Sequence, residues 1–419
     1  MQKVKEIIST LELDLRLLGM IAALGVIWLV FNTFTHGLYV TPRNIFNLTV
    51  QTASVAVMAT GMVFVIVTRH IDLSVGSLLG FIGMTMGLIQ AKILPEYLGY
   101  GHPMIWIITV FAGAAMGAVI GAFQGWLIGY LTIPAFIVTL GGLLAWRGAA
   151  WWVTQGQTVA PLDDTFKMLG GTGGTLGITW SWVVAALTSL AAVVLVFLSR
   201  RRKVAHDFRV KPLWAEIALA VIYVGVICAF VGVLNAYEMP AGRVQRLYEM
   251  RGEVAPEGLV LGYGLPISVL VVLAVSAIMT VVAQRTRLGR YIFATGGNPD
   301  AAELSGINTR MLTVKVFSIM GALVSLGAVI ASARLGSAAN DLGTLDELRV
   351  IAAAVIGGTA LSGGVGTIYG AVLGALIMQS LQSGMAMVGV DAPLQSIVVG
   401  VVLVFAVWVD IIYRRRTGG

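Results

Sequence analysis

Side chains capable of chemistry are scarce in this chain, and most stand alone inside long apolar runs. Asp72 opens one such run, in the stretch Arg69-His70-Ile71-Asp72-Leu73-Ser74. Its carboxylate oxygens suit the free amide hydrogens of a first helical turn, and Ser74 can share that work. A capped helix end can also face a cavity, so capping and lining a pathway are compatible roles for Asp72 and Ser74. Arg147 lies well inside another run. There it must snorkel, face water, or pair with a carboxylate or backbone carbonyls, and a structural tether is the preferred reading. Gln51, Gln124 and Thr139 are neutral donors and acceptors in apolar surroundings. Such groups recognise hydroxylated solutes, yet each taken singly reads as glue between helices. Gln51, Asp72, Ser74, Thr139 and Arg147 are the candidates for lining a pathway.

The remaining chemistry is defined by what is missing. His36, His70, His102 and His206 share no metal-like or triad-like spacing with one another or with Cys or Glu. The sequence has no HExxH, no GxSxG and no GxxxxGK[ST] nucleotide loop. Cys228 is the only cysteine and can form neither an intrachain disulfide nor a multi-cysteine metal site. The paired intramembrane carboxylates of a proton relay are also lacking. The expectation is a chain that is no enzyme and holds no cofactor or metal. Energy for uphill transport must then come from another polypeptide.

What positions these few polar groups is a set of helices in lipid. Hydrophobic residues make up 58% of the 419, charged residues 11%, and mean hydropathy is +0.91. Crossing a hydrocarbon core takes ~20 helical residues. Apolar runs of that length fall at about 15–33, 45–68, 73–93, 104–130, 134–153, 180–199, 213–236, 259–283, 312–333, 348–361, 364–385 and 393–413. The prediction is an all-α, polytopic transmembrane bundle of about 12 spans (10–14 allowed), forming one domain over residues 1–419. The first run has no small-residue cleavage site behind it and reads as an uncleaved span. The net charge of +7 does not point to nucleic acid, because the basic residues cluster at alternate joints. Lys3, Lys5 and Arg16 precede the first span, Arg200, Arg201, Arg202, Lys203, Arg209 and Lys211 fill one joint, and Arg285, Arg287, Arg290 and Arg310 fill another. Arg414, Arg415 and Arg416 follow the last span. That asymmetry puts both termini in the cytoplasm.

Two joints are too short and glycine-rich for simple hairpin loops: RHIDLSVGSLLG after residue 68 and GGTALSGGVGTIYG after residue 356. Irregular backbone at membrane depth persists only where protein buries it or water reaches it, so half-helices meeting inside the bundle are expected there. The two also echo each other, Val75-Gly76-Ser77 with Gly80 and Gly83 against Val365-Gly366-Thr367 with Gly370 and Gly374, as in an internal repeat. Gly113, Gly117 and Gly121 carry the small-xxx-small spacing of closely packed helices. In the basic joint at about 284–311, Asn298 can cap, Pro299 suits a first turn, Ala301 to Leu304 favour helix and Gly306 permits a stop. One short helix is expected there, tethered at both ends and rigid enough to transmit a push.

IDLSVGS at 71–77, PAFIVTLGG at 134–142, Arg147-Gly148, LGRYIFATGGNPDAAELSGIN at 288–308 and VIGGTALSGGVGTIYGAVLGALIM at 355–378 occur in this order. Together they identify the chain, from about residue 40 onward, as resembling the membrane permease subunits of bacterial ABC importers for pentoses and related monosaccharides. The extra hydrophobic pair at about 180–236 is most similar to the members that carry D-xylose. The resemblance implies a multi-pass protein of the bacterial inner membrane, working with a second permease copy, a cytoplasmic ATPase that binds ATP and Mg, and a periplasmic sugar-binding protein. It implies that Gly297, Asn298, Ala301, Ala302, Glu303 and Gly306 couple to the ATPase, Ala301, Ala302 and Gly306 matching the alanine and glycine positions of that motif. Arg69-His70, where some relatives carry a carboxylate, and the charged stretch 237–258 depart from the pattern. The alternative is an ion-coupled secondary sugar transporter.

Overall fold

The computed structural model describes residues 14–417 except Thr172, Arg209, Met250, Arg251 and Glu257. Lys3 and Lys5 and the charged residues Arg209, Arg251 and Glu257 therefore lie outside the described residues. The helices are α1 (Leu15–Phe34), α2 (Pro42–Val67) and α3 (Val75–Leu88), which continues through a π-helical turn at Ile89–Ile93 into Leu94–Leu98. Next come α4 (Met104–Gly129), α5 (Ala135–Thr154), α6 (Asp164–Met168), α7 (Gly177–Ala205) and α8 (Leu213–Asn235). The second half holds α9 (Ala241–Glu249), α10 (Ile267–Arg285), α11 (Arg287–Gly297), α12 (Pro299–Leu304), α13 (Thr309–Leu335), α14 (Asp346–Ile356), α15 (Ile368–Met387) and α16 (Ala392–Thr417). Among the described residues, nine helices are long and apolar enough to cross a membrane, and β-pairing occurs only as isolated bridges. The protein is a polytopic helical membrane bundle.

Nine of the twelve expected spans correspond to these nine helices, the eighth with a different start, and α14, α15 and α16, which fall on the other three, are not among the nine. The eighth was placed from 259, but α10 starts at Ile267. Residues 261–265 are instead held extended by neighbouring backbone: Met239 N–H donates to Leu261 O at 2.7 Å and Tyr263 N–H to Tyr237 O at 2.9 Å. The tenth, expected over 348–361, is the 11-residue α14. At 1.5 Å per residue it is about 17 Å long, short of the ~30 Å core. It ends at Gly357 and Gly358, and Gly358, Gly363 and Gly364 all take positive φ before α15 begins. This joint is a half-helix followed by irregular backbone, as expected. The other glycine-rich joint is not: α2 and the α3 helix flanking it are both long, so residues 68–74 form a link between complete helices, with Asp72 and Ser74 buried and Arg69 and Ile71 exposed.

Contacts divide the chain into two compact units. The larger holds Asn47–Gly174 and Ile267–Gly419 with Ala23–Tyr39. Its centre is α2, whose side chains from Ala53 to Val67 are nearly all buried, with Met320, Val324 and Ala328 of α13 in the same core. α4 and α13 approach backbone to backbone. A Cβ on Gly117 or Gly121 would overlap the carbonyl oxygens of Gly321 or Phe317, and on Gly125 it would lie 2.7 Å from Val314 Cα. Without a hydrophobic drive between helices in lipid, this close fit is what associates them.

The smaller unit contains Thr175–Pro266 and Val40–Phe46. Its helices α7 and α8 form the additional hydrophobic pair. At one end Arg200 donates to Glu216 Oε2 at 3.0 Å and to Lys211 O at 2.9 Å. In the charged stretch after α8, Tyr237 and Tyr263 stack at 4.6 Å between ring centroids. The Arg243 guanidinium lies 4.9 Å above the Tyr263 ring.

Candidate functional site

The joint between α10 and α13 folds as two helices rather than the single one expected. The missed helix is α11, which begins where Thr286 Oγ1 accepts from Gly289 N–H at 3.2 Å. Its signal was a Thr cap before an amphipathic run. The expected helix is α12: Asn298 Oδ1 accepts from Ala301 N–H at 3.0 Å, Pro299 occupies the first turn, and Gly306 takes φ +86° beyond the end. Gly297, Asn298, Ala301, Glu303 and Gly306 are exposed. Ala302, by contrast, is only 4% exposed, so its methyl group packs inward. The apolar side chain offered outward is Leu304, 90% exposed, which composition alone did not single out.

Arg69 ties this segment to the core. It takes a left-handed φ of 65° just past the end of α2. From there Nε donates to Gly296 O at 2.8 Å and Nη2 to Gly297 O at 2.7 Å. Those are terminal carbonyls of α11, which no intrahelical donor reaches, and a cation complements the negative end of a helix. Gly364 N–H donates to Val67 O at 3.0 Å. A Cβ on Gly296 would overlap Val67 O and come within 2.6 Å of Gly364 N. Three backbones therefore meet with no room for a side chain: the end of α2, the end of α11 and the irregular link before α15.

A second cluster forms around the 68–74 link. Asp72 is 2% exposed, and its Oδ1 accepts from both Ser74 N–H at 2.9 Å and Ser74 Oγ–H at 2.6 Å. The expectation that Asp72 caps the first-turn amides of α3 is corrected: the N-cap position belongs to Ser74, which makes no side-chain cap bond. Asp72 closes a local Asx turn onto the residue two ahead. Gln124 of α4 donates through Nε2 to Ser74 Oγ at 3.0 Å. Thr139 of α5 donates to Ala135 O at 2.9 Å and lies 3.2 Å from Ile71 O. Gly142 leaves room for this network, since its Cβ would fall 2.6 Å from Gln124 Nε2. Asp72, Ser74, Gln124 and Thr139 are thus one buried knot joining α3, α4 and α5.

Arg147, two turns along α5 from Thr139, donates from Nη1 to Asn340 O and Leu342 O, both at 3.0 Å. It tethers the loop before α14. That loop also lies against a stripe of small residues on α3: a Cβ on Gly80 would approach Leu342 O to 2.7 Å, and on Gly83 Leu342 Cδ2 to 2.6 Å.

Gln51 stands apart from the knot. Its Oε1 accepts from Gln379 Nε2 at 3.0 Å. Both line a cavity of about 400 Å³ between α2, the end of α13, the start of α14, α15 and α16. Among the described residues no group of three or more His, Cys, Asp and Glu could hold a metal ion.

The sequence matches the family described as "Branched-chain amino acid transport system / permease component" over residues 44–205 and 165–407. It is 36% identical over 406 residues to a xylose transport system permease protein of Escherichia coli K12, covering 97% of this chain and 94% of that one. The corresponding protein of Haemophilus influenzae is 35% identical, with 97% and 98% covered. A ribose import permease protein of Escherichia coli K12 is 32% identical over 376 residues, with 89% and 87% covered. No solved structure matches.

Proposed function

The chain belongs to the branched-chain amino acid transport system / permease component family, and from that premise we propose that it is the membrane subunit of an ATP-driven importer carrying D-xylose into the cytoplasm. The family description names amino-acid carriers, but the relatives matched along nearly the whole chain are permeases for xylose and ribose. In this reading the permease makes and breaks no bonds. It supplies two conformations whose balance its partners bias. A periplasmic binding protein delivers sugar to one face, a second permease copy completes the pathway, and a separate cytoplasmic subunit binds ATP and Mg and does the hydrolysis. Both termini and the α11–α12 segment face the cytoplasm, on the strength of the basic joints.

The observation that carries this reading is the Arg69 clasp. A push on α12 reaches α11 directly, and α11 is bonded through its last carbonyls to the residue that ends the most buried helix of the core. Gly297, Asn298, Ala301, Glu303 and Gly306 form the docking face, with Leu304 as the apolar knob that enters a cleft of the ATPase. Ala302, buried, holds the helix to its own subunit. Asp72, Ser74, Thr139 and Arg147 fix the frame of α3 and α5, and Gln51 is the candidate that faces an open pathway.

The test uses the complete transporter in proteoliposomes. Leu304→Asp should reduce D-xylose uptake at least about tenfold, the effect of losing roughly 1.4 kcal/mol or more of apolar contact at a docking site. Insertion and thermal stability should hold, because the side chain is 90% exposed in its own subunit. Wild-type uptake in this variant would remove the docking assignment.

A further inference from the structure

The cavity lies beside the middle of α2, at Gln51, Ser54 and Val55, away from the clasp at its end. Gln51 and Val67 are sixteen residues apart on one helix, about 24 Å. The cavity is also walled by Arg334 and Leu335, the end of α13 remote from α12. Its volume, about 400 Å³, falls within the ~300–1,000 Å³ of small-molecule pockets.

The lining has a definite chemistry. Two carboxylates, Asp341 and Asp346, face two guanidiniums, Arg334 and Arg349, so the formal charges sum to zero. Asp346 and Arg349 are already joined at 2.8 Å. A charged solute would meet an opposing charge wherever it met an attractive one, whereas a neutral solute would not. The rest of the polar lining is amide and hydroxyl. The Gln51–Gln379 bond uses one acceptor of Gln51 and one donor of Gln379, leaving a donor on the first and an acceptor on the second. Among the described residues the Gln382 amide has no hydrogen-bond partner in the protein. Paired donors and acceptors on planar amides match vicinal hydroxyls, each of which both donates and accepts a hydrogen bond.

Among the described residues no aromatic side chain lines the cavity. A site with hydrogen bonds but no stacking platform holds a sugar weakly, and a transit site must release what it binds. We propose that this cavity is a low-affinity receiving site for a neutral monosaccharide, occupied between delivery at the outer face and passage inward. The proposal rests on the importer reading given above. It deepens that reading by placing sugar contacts on Gln51, Gln379 and Gln382 of the permease itself.

Saturation-transfer NMR with D-xylose on the purified permease–ATPase complex, without binding protein, tests this directly. Transfer to the sugar protons is expected in the wild type. It should fall about tenfold in Gln382→Leu, the loss of about one hydrogen bond's worth of affinity, and return in Gln382→Asn. Absence of transfer in the wild type, or unchanged transfer in both Gln382→Leu and Gln379→Leu, would overturn the proposal. Uptake by the complete wild-type transporter separates the two levels. If D-xylose is imported but no transfer is seen, the receiving site alone is wrong. If D-xylose is not imported, the substrate reading fails, and the receiving site stands only if transfer is still seen with D-xylose.

Discussion

Asp72 accepts two hydrogen bonds through one oxygen, both from Ser74, and this decides which replacements it tolerates. Asparagine presents the same acceptor at the same reach without a charge. Alanine leaves the buried Ser74 N–H unmet and the Ser74 hydroxyl only its longer contact to Gln124 Oε1 at 3.4 Å, at about 1–3 kcal/mol for an unmet buried group. Asp72→Asn should therefore keep thermal stability and D-xylose uptake close to wild type, while Asp72→Ala should lower the melting temperature in detergent. If the charge itself served transport, Asp72→Asn would lose uptake while remaining folded, and the framework role would be wrong. Arg147 poses the same question differently. Its two acceptors are carbonyls on another segment, so the tether reading drawn from its place in an apolar run is the one its contacts support.

At the scale of elements, the stripe Gly113, Gly117, Gly121 and Gly125 on α4 makes the sharpest prediction. Gly117→Val adds carbon where the Gly321 carbonyl already lies, forcing α4 and α13 apart. Overpacking costs about 1–3 kcal/mol and sometimes more. Gly225 on α8 has nothing within 4 Å of the added Cβ, so Gly225→Ala should leave the melting temperature unchanged or slightly raised. Equal melting temperatures for Gly117→Val and wild type would show that the two helices are not held by this contact. The same stripe shows why so much of the fold was legible. Spans, glycine spacing and the Asn298-Pro299 start are local signals, readable from adjacent residues. α11 escaped because its amphipathic run sits in a basic joint and reads as loop by charge. The start of α10 was misplaced because bonds from residues 237 and 239 hold 261–265 extended, and no window along the sequence contains both partners. For the same reason the Asp72 knot and the Gln51 cavity were legible only as separate polar residues: α3, α4 and α5 meet at positions 74, 124 and 139, and α2 and α15 at 51 and 379.

At the scale of the molecule, α2 is where the functional argument closes. The end of α2 holds the clasp and its middle, at Gln51, lines the polar cavity, so Arg69 is one link by which displacement of α11 reaches the cavity wall, beside the backbone contact of Gly296 with Val67. The clasp consists of two hydrogen bonds from a cation, each worth about 1.5–3 kcal/mol when sheltered and less here, because Arg69 is partly exposed. It is also held against a backbone preference: a non-glycine residue at φ 65° costs on the order of 1–3 kcal/mol. Arg69→Ala keeps that conformational cost and loses the bonds. Arg69→Gly relieves the cost and loses the same bonds. If the clasp is what transmits the ATPase stroke, both variants should hydrolyse ATP while importing less D-xylose, with the ATP used per sugar rising about tenfold for a loss near 1.4 kcal/mol. Arg69→Gly should do so with a melting temperature at or above that of Arg69→Ala. A variant pair that differed in stability yet kept wild-type stoichiometry would assign Arg69 to folding alone and leave the backbone contact of Gly296 with Val67 as the link between α11 and α2.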